Sequence, residues 1–403
     1  MNKICYVATI PHVVFSFLSG HIKAAAVDYD VTVISHPQDA ELLKNLPCRY
    51  VKTNIHRKIS LWNDVKTLFH LIKFFRKERF LLVHSIMPKT GFLSMLAGWI
   101  TGVPCRIHTF TGQVWATQHG FKRNFLKLFD KLIVAMATHT LADSDSQRRF
   151  LCSEGILKAN QGIVIENGSI CGVDTVSFCP DIDTRSAIRK SLNISPDAII
   201  ILFLGRLNRD KGMLDLAHAF CKIAACRKDL YLLLVGAEED VPYTRIQEIC
   251  GKHAENLRRI PFTSHPHHYM AAADIFCLPS YREGFGQTII EAAACAIPTV
   301  ATRIYGITDA VEENETGLLI DVGNIEQLAA ALLKLIDDPS LRKNMGHSAR
   351  ARALQFFNSD KVTQKLIELY HSLLASFAGS PSACFVKTVT GEALKKSNSE
   401  KPM

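Results

Sequence analysis

The sequence predicts an α/β protein built from two doubly wound, Rossmann-like domains facing across a cleft. Short, fully apolar runs recur along the chain with helical spacing of apolar residues between them. Strands that show no polar alternation are buried on both faces, which is the mark of parallel sheets covered by helices. The runs form two sets divided by a polar stretch at 167–197, read as a linker. The length, 403 residues, exceeds what one core ordinarily organises.

In the first half the strand runs are 4–8, 31–34, 49–51, 81–84, 105–109, 140–142 and 163–166, with helical patterns at 61–78, 89–101 and 122–137. In the second half they are 199–204, 230–235, 257–260, 275–278, 299–301 and 317–320. The domains are accordingly set at 1–178 and 179–357. A helical pattern at 358–377 is expected to pack back toward the first domain. The tail 378–403 has no apolar period and a composition typical of disorder.

Charge is unevenly placed. Residues 1–180 hold 21 Lys and Arg against 12 Asp and Glu, whereas the remainder holds 26 of each, so the whole excess of +9 lies in the first half. A basic half calls for an anionic partner or surface. No nucleic-acid-binding module is recognisable, which argues against nucleic acid. The helical pattern at 64–79 carries Lys and Arg opposite an apolar face, with Trp62 at its start, a form suited to an anionic lipid surface. No run reaches the roughly 20 apolar residues of a membrane-spanning helix. No secretion signal is visible, and the twelve Cys show neither C-x-x-C nor zinc spacing. A reducing cytoplasm, with peripheral contact at the inner face of the membrane, is the expected location.

Two segments carry the chemistry. In Gly205-Arg206-Leu207-Asn208-Arg209-Asp210-Lys211-Gly212 an apolar strand ends and a helix begins. Such a turn offers free N–H groups and a positive dipole end to an anion. Arg206 and Lys211 add two cations, although a solvated loop charge is the commoner fate of any single Lys. In Glu283-Gly284-Phe285-Gly286-Gln287, followed by Glu291, a second strand end meets a second helix start. Gly284 and Gly286 let backbone approach a ligand closely. Glu283 and Glu291 can each accept hydroxyl hydrogen bonds. The plain alternative is a surface Glu and a capping Glu.

These residues carry a resemblance. Glu283 and Glu291 form the E-x7-E motif of the retaining glycosyltransferases of family 4, and GRLNRDKG, DIFCLPSYREGFGQTIIEAAACAIPTVAT and ENETGLLID resemble that family's C-terminal domain. HSIMPKTGFLSMLAGWITGVP, SDSQRRFL and IENGSICGVD resemble its N-terminal domain, so the likeness reaches to about residue 377. The resemblance implies a GT-B-type fold, metal independence, a nucleotide-sugar substrate and no cofactor. By position, Arg206 and Lys211 hold the donor diphosphate, Glu283 contacts the transferred sugar, Glu291 binds the ribose, and the amides of residues 284–287 support phosphate and sugar. A UDP-sugar donor and an undecaprenyl-diphosphate-linked saccharide acceptor follow from the same likeness together with the basic first half.

The first half departs from the family in two places. The glycine-rich loop after the first strand is represented by 15–21, with Gly20 alone. The family's T-x-H-G reads Thr109-Phe110-Thr111-Gly112, so Thr111 stands where histidine is usual and no histidine role carries over. The stretch 109–117, with Thr109, Thr111, Gly112 and Gln113, is read as an acceptor or sugar loop; packing by Trp115 is the alternative.

Two metal-like patterns are given other readings. Asp143-Ser144-Asp145 reads as a helix N-cap. His265-Pro266-His267-His268 reads as a helix start near the base-binding region, because no Cys or acidic residue stands at ligand spacing beside it. A nucleotide-sugar epimerase on a similar fold is the runner-up function. A dinucleotide-dependent oxidoreductase is disfavoured, since no G-x-G-x-x-G follows the first strand.

Overall fold

The computed structural model describes residues 1–55, 60–227 and 229–378; the tail beyond 378 lies outside the described residues. The first domain runs β1 (Asn2–Val7), α1 (Pro11–Ala25), β2 (Tyr29–Ser35), β3 (Arg49–Lys52), α2 (Leu61–Glu78), β4 (Leu82–Ile86), α3 (Pro88–Thr101), β5 (Cys105–Phe110), α4 (Gly120–Met136), β6 (His139–Ala142), α5 (Asp145–Ser153) and β7 (Ile163–Val164). Its seven strands are parallel in the order β3-β2-β1-β4-β5-β6-β7. The second runs α6 (Ile182–Ser191), β8 (Ile199–Leu204), α7 (Met213–Ala224), β9 (Leu230–Val235), α8 (Tyr243–Cys250), β10 (Leu257–Ile260), α9 (Pro266–Ala272), β11 (Ile275–Leu278), α10 (Gln287–Ala294), β12 (Thr299–Thr302), α11 (Ile307–Ala310), β13 (Gly317–Ile320), α12 (Ile325–Asp337) and α13 (Pro339–Phe356). Its six strands, also parallel, lie in the order β10-β9-β8-β11-β12-β13. Both orders reverse direction beside their first strand, so each sheet has a switch point where loops diverge and ligands settle.

The central strands formed where fully apolar runs occur because they are covered on both faces: Ile200, Ile201, Leu202 and Phe203 of β8 are all without solvent contact, whereas the edge strands β3 and β10 are only partly buried. One apolar cluster fills the second domain, and two clusters lie on the two faces of the first sheet. The last helix, α14 (Ser359–Ala378), leaves the second domain and lies against α1. Tyr370 there meets His84 of β4 at 2.5 Å, and His84 holds Thr109 at 2.7 Å.

Two expectations need correction. The segment 167–197 is not all linker, for it contains α6. Apolar periodicity could not reveal this helix, because its one fully buried residue is Arg189. Asp181 caps it by accepting from the Thr184 N–H. The guanidinium of Arg189 donates to Asp274 at 2.6 Å and to the carbonyls of Ala198 and Ala272. The segment 15–21 is not a loop. Pro11, with its preset φ, occupies the first turn of α1, so the connection after β1 is only residues 8–10. Gly20 sits inside α1, where a Cβ would be 3.4 Å from Thr363 Oγ1 of α14.

Removing the buried Arg189 leaves Asp274 and several carbonyls short of a donor. Arg189→Ala is expected to destabilise the chain by about 3 kcal/mol or more in urea unfolding.

Candidate donor site at the domain interface

The two loops singled out by sequence lie side by side at the C-terminal ends of β8 and β11. Gly212 makes this juxtaposition. It sits at φ 69°, and a Cβ there would be 1.9 Å from the carbonyl oxygen of Pro279. Only glycine fits both the conformation and the contact. Around it, Tyr281 N–H donates to the Asp210 carbonyl at 2.8 Å, and Arg282 donates to the Asp210 carboxylate at 2.8 Å. Asn208 caps the short turn that follows by accepting from the Lys211 N–H.

In this setting Lys211 and Glu283, 72 residues apart, form an ion pair. Ser280 Oγ donates to the same Glu283 carboxylate at 2.8 Å. Arg206 is more exposed and pairs with Glu239, which also accepts from Asn208 at 2.6 Å. Glu239 had no signature in the sequence; β9 brings it across. Gly286, at φ 79°, is the N-cap of α10, so this helix starts where the loop ends. Glu291 lies one turn into α10, half-buried, and loss of water around it pushes its carboxyl up to about 8.

The first domain closes over these loops. Gly112 and Gly284 cross backbone to backbone: a Cβ on Gly284 would be 2.8 Å from the Gly112 N, and one on Gly112 would be 3.0 Å from the Gly284 N. Arg282 donates to the Gly112 carbonyl at 3.1 Å. Further out, Phe150 stacks on Tyr305 at 4.3 Å, and the Gly306 N–H donates to Ser146 Oγ. Gln287 spends its side chain on the interdomain segment, accepting from Ser169 Oγ at 2.7 Å and donating to the Gly172 carbonyl at 2.6 Å. Its side chain also hydrogen-bonds Glu291, one turn further along α10. Phe285 is buried edge-on against Phe357.

The residues read as a sugar or acceptor loop divide. Gly112 stands at the interface. Thr109 is buried and bonded to His84, while Gln113 is buried and donates to the Thr111 carbonyl at 2.6 Å. Trp115 is a core residue, donating to Asp130 at 2.7 Å and stacked on Phe150, so the packing alternative holds for it. Gly20 lies inside α1, where its nearest contact is Thr363 of α14. In 143–145, Ser144 is the N-cap of α5, accepting from the Gln147 N–H at 3.1 Å.

Asp143, which the sequence marks only as part of a helix-cap pattern, has a different place. Its carboxylate is buried at the interface, with Oδ2 at 2.7 Å from the position a Gly284 Cβ would take and Oδ1 without a protein partner. Burial pushes this carboxyl up to about 8. Beside it a cavity of about 20 Å³, large enough for a single water, is lined by His21, His84, Thr109 and Ser169.

Two facing Rossmann-like domains with these loops between them define a GT-B-type protein. Residues 184–352 match the sequence model described as Glycosyl transferases group 1, and residues 21–168 match that of the Glycosyl transferase 4-like domain. The chain belongs to the group 1 glycosyltransferases. It is 31% identical over 324 residues to the capsular polysaccharide biosynthesis glycosyltransferase CapM of Staphylococcus aureus, covering 80% of this chain and 85% of that one. It is 29% identical over 329 residues, 79% of this chain and 82% of the other, to the UDP-Gal:alpha-D-GlcNAc-diphosphoundecaprenol alpha-1,3-galactosyltransferase of Escherichia coli. Among solved structures, sucrose-phosphate synthase from Thermosynechococcus elongatus has the same fold, with a TM-score of 0.78 at 23% identity over 93% of this chain and 100% of that one. Anabaena HepE in complex with UDP and glucose gives 0.77 at 19% identity over 92% and 100%.

The raised carboxyls have a consequence for stability. An acid whose pKa is raised by folding keeps a proton that the unfolded chain has released, so stability falls as pH rises toward the folded value. His84 and His108, held down to about 3 by burial, act in the opposite sense, but only below the ordinary histidine value of 6.5. Between pH 6.5 and 8 the carboxyls decide. The thermal midpoint of the ligand-free chain should therefore fall across that window, and fall less in Asp143→Asn. Parallel slopes in the two proteins would contradict the assignment.

Proposed function

We propose that this glycosyltransferase moves a hexosyl or N-acetylhexosaminyl group from a UDP-sugar, with retention and without a metal ion, to an undecaprenyl-diphosphate-linked saccharide in bacterial surface glycan synthesis. The observation that carries the reading is the convergence of Arg206, Lys211 and Glu283 at two strand ends and helix starts. A donor diphosphate would draw Arg206 from Glu239 and Lys211 from Glu283, exchanging carboxylate partners for phosphate oxygens. The two cations then offset charge on the departing nucleoside diphosphate, the kind of fixed stabilisation that lowers a transfer barrier. Glu283, released from Lys211, faces the sugar, where its carboxylate stabilises positive charge developing at the anomeric carbon. Glu291 accepts from ribose hydroxyls. The new bond forms on the face that the diphosphate leaves, with no obligatory protein nucleophile.

The acceptor class is supported by two relatives. The Escherichia coli enzyme and an N,N'-diacetylbacillosaminyl-diphospho-undecaprenol alpha-1,3-N-acetylgalactosaminyltransferase of Campylobacter jejuni, 25% identical over 373 residues, are both named for lipid-diphosphate acceptors.

A surface of the first domain supports membrane contact at the cytoplasmic face. No helix among the described residues is long and apolar enough to cross a membrane. Two helices nevertheless carry an outward apolar stripe in addition to their buried one. On α2 it is Leu61, Trp62, Val65 and Phe69, with Trp62 81% exposed; on α4 it is Phe121, Phe125, Leu128 and Leu132, with Phe121 84% exposed. Helix α3 packs against both and adds Trp99. Exposed Lys66, Lys73, Arg76, Lys122 and Lys131 accompany the stripes. Apolar side chains that enter the headgroup boundary beside cations suit an anionic bilayer.

A panel of UDP-sugars offered with a diphosphate-lipid saccharide should identify one donor, with transfer unaffected by EDTA and a product of the donor's anomeric configuration. Glu283→Gln should abolish transfer while nucleotide binding persists, and full activity in that variant would remove Glu283 from the site. Conversion of donor without acceptor would instead favour epimerisation. In a separate assay the chain should sediment with anionic vesicles. The triple substitution Trp62→Ser, Phe69→Ser and Phe121→Ser should release it, and undiminished sedimentation would reject this face.

A further inference from the structure

The connection after β10 enters α9 through His265-Pro266-His267-His268. Pro266 takes the first turn, where its missing N–H is not needed. The abrupt helix start turns three imidazoles toward one another. Ring centroids are 4.3 Å apart for His267 and His268, 5.2 Å for His265 and His268, and 5.7 Å for His265 and His267. One ring nitrogen from each lies within 4.8 Å of the other two. Among the described residues no protein group hydrogen-bonds to any of the three rings. Their nitrogens converge and are left unused by the fold.

Asp174 and Asp181 lie within electrostatic reach of His267 and His268. Both carboxylates already accept local hydrogen bonds, Asp174 from Ser177 and Asp181 from Thr184. They therefore supply negative charge beside the cluster rather than ligand atoms. Three neutral imidazoles with an open fourth position form a recurrent ligand set for borderline transition metals. A metal–nitrogen distance of about 2.0–2.1 Å sets tetrahedral ligand nitrogens about 3.4 Å apart. Side-chain rotation alone can close the rings to that spacing, since His265 is exposed and the other two are half-buried.

We propose that His265, His267 and His268 bind one divalent, imidazole-preferring transition-metal ion, at a site on α9 separate from the two donor loops. The ion has no part in sugar transfer. Its position is structural. His267 packs edge-on against Phe178 at 5.7 Å, in the segment by which the chain enters the second domain. A coordinated His267 is held in that contact, which stiffens the passage between domains.

Nickel is the suitable probe, because imidazole favours it whereas the chain's thiols favour softer ions. Calorimetric titration of Ni²⁺ into the full chain should give one ion per molecule. His267→Ala with His268→Ala should lose that ion, and His265→Ala, at an exposed position that leaves the fold intact, should bind it more weakly. Nickel should raise the melting temperature of the parent chain but not that of the double variant, since only a site present in the folded state stabilises by mass action. Absence of binding to the parent chain, or the same stoichiometry and melting shift in the double variant, would overturn the proposal.

Discussion

The approach of Gly212 to Pro279 is the contact on which the candidate site depends. Two backbones meet there at a distance that excludes even a methyl group. Because they meet, the ends of β8 and β11 form one surface instead of two separate loops. Asp210 then ties to both Tyr281 and Arg282, and Lys211 reaches Glu283. The two strands are neighbours in the sheet, so the rest of the second domain is arranged to hold this contact: six parallel strands, the central ones buried on both faces, give it a rigid floor.

A second glycine crossing does for the domains what the first does for the loops. Gly112 and Gly284 let the first domain rest its loop directly on the loop that carries Glu283. Side chains at that crossing would hold the domains apart. The cost of the close fit is visible in Asp143, buried beside Gly284 with one oxygen unpartnered and its proton held to about pH 8. The interface is thus polar and glycine-rich at its centre, with aromatic stacking of Phe150 on Tyr305 further out. Interfaces of this kind between domains of one chain suit relative motion better than a large apolar one would.

The two halves of the chain differ in what they turn outward. The second domain is close to balance, with 20 Lys and Arg against 22 Asp and Glu, and offers loops with paired charges. The first carries the whole excess of positive charge and two helices with a second apolar stripe. In the proposed reading these are two sides of one task, a soluble anionic donor on one domain and a lipid-borne acceptor beside the other. Helix α14 joins them physically, since it starts in the second domain and ends against α1, with Tyr370 linked through His84 to Thr109.

Much of the fold was legible because strands buried on both faces must be apolar without alternation, a local property. The two site loops were legible for a similar reason: glycines and charges at a strand end before a helix are contiguous in sequence. Other features were not local. Helix α6 has no apolar signature because it buries an arginine rather than an apolar stripe, and Gly20 lies in a helix rather than a loop because Pro11 starts α1 earlier than the apolar pattern implies. Glu239 and Asp143 reach the site from other strands; nothing in its own neighbourhood marks Glu239, and the pattern around Asp143 points only to a helix cap. The sequence by itself determined the class of fold, the family and the residues of each loop, since these follow from short-range pattern. Tertiary structure alone decided which charges meet, which side chains the fold consumes and which face of each helix is left open, because those depend on how sheets and domains pack across long separations in the chain.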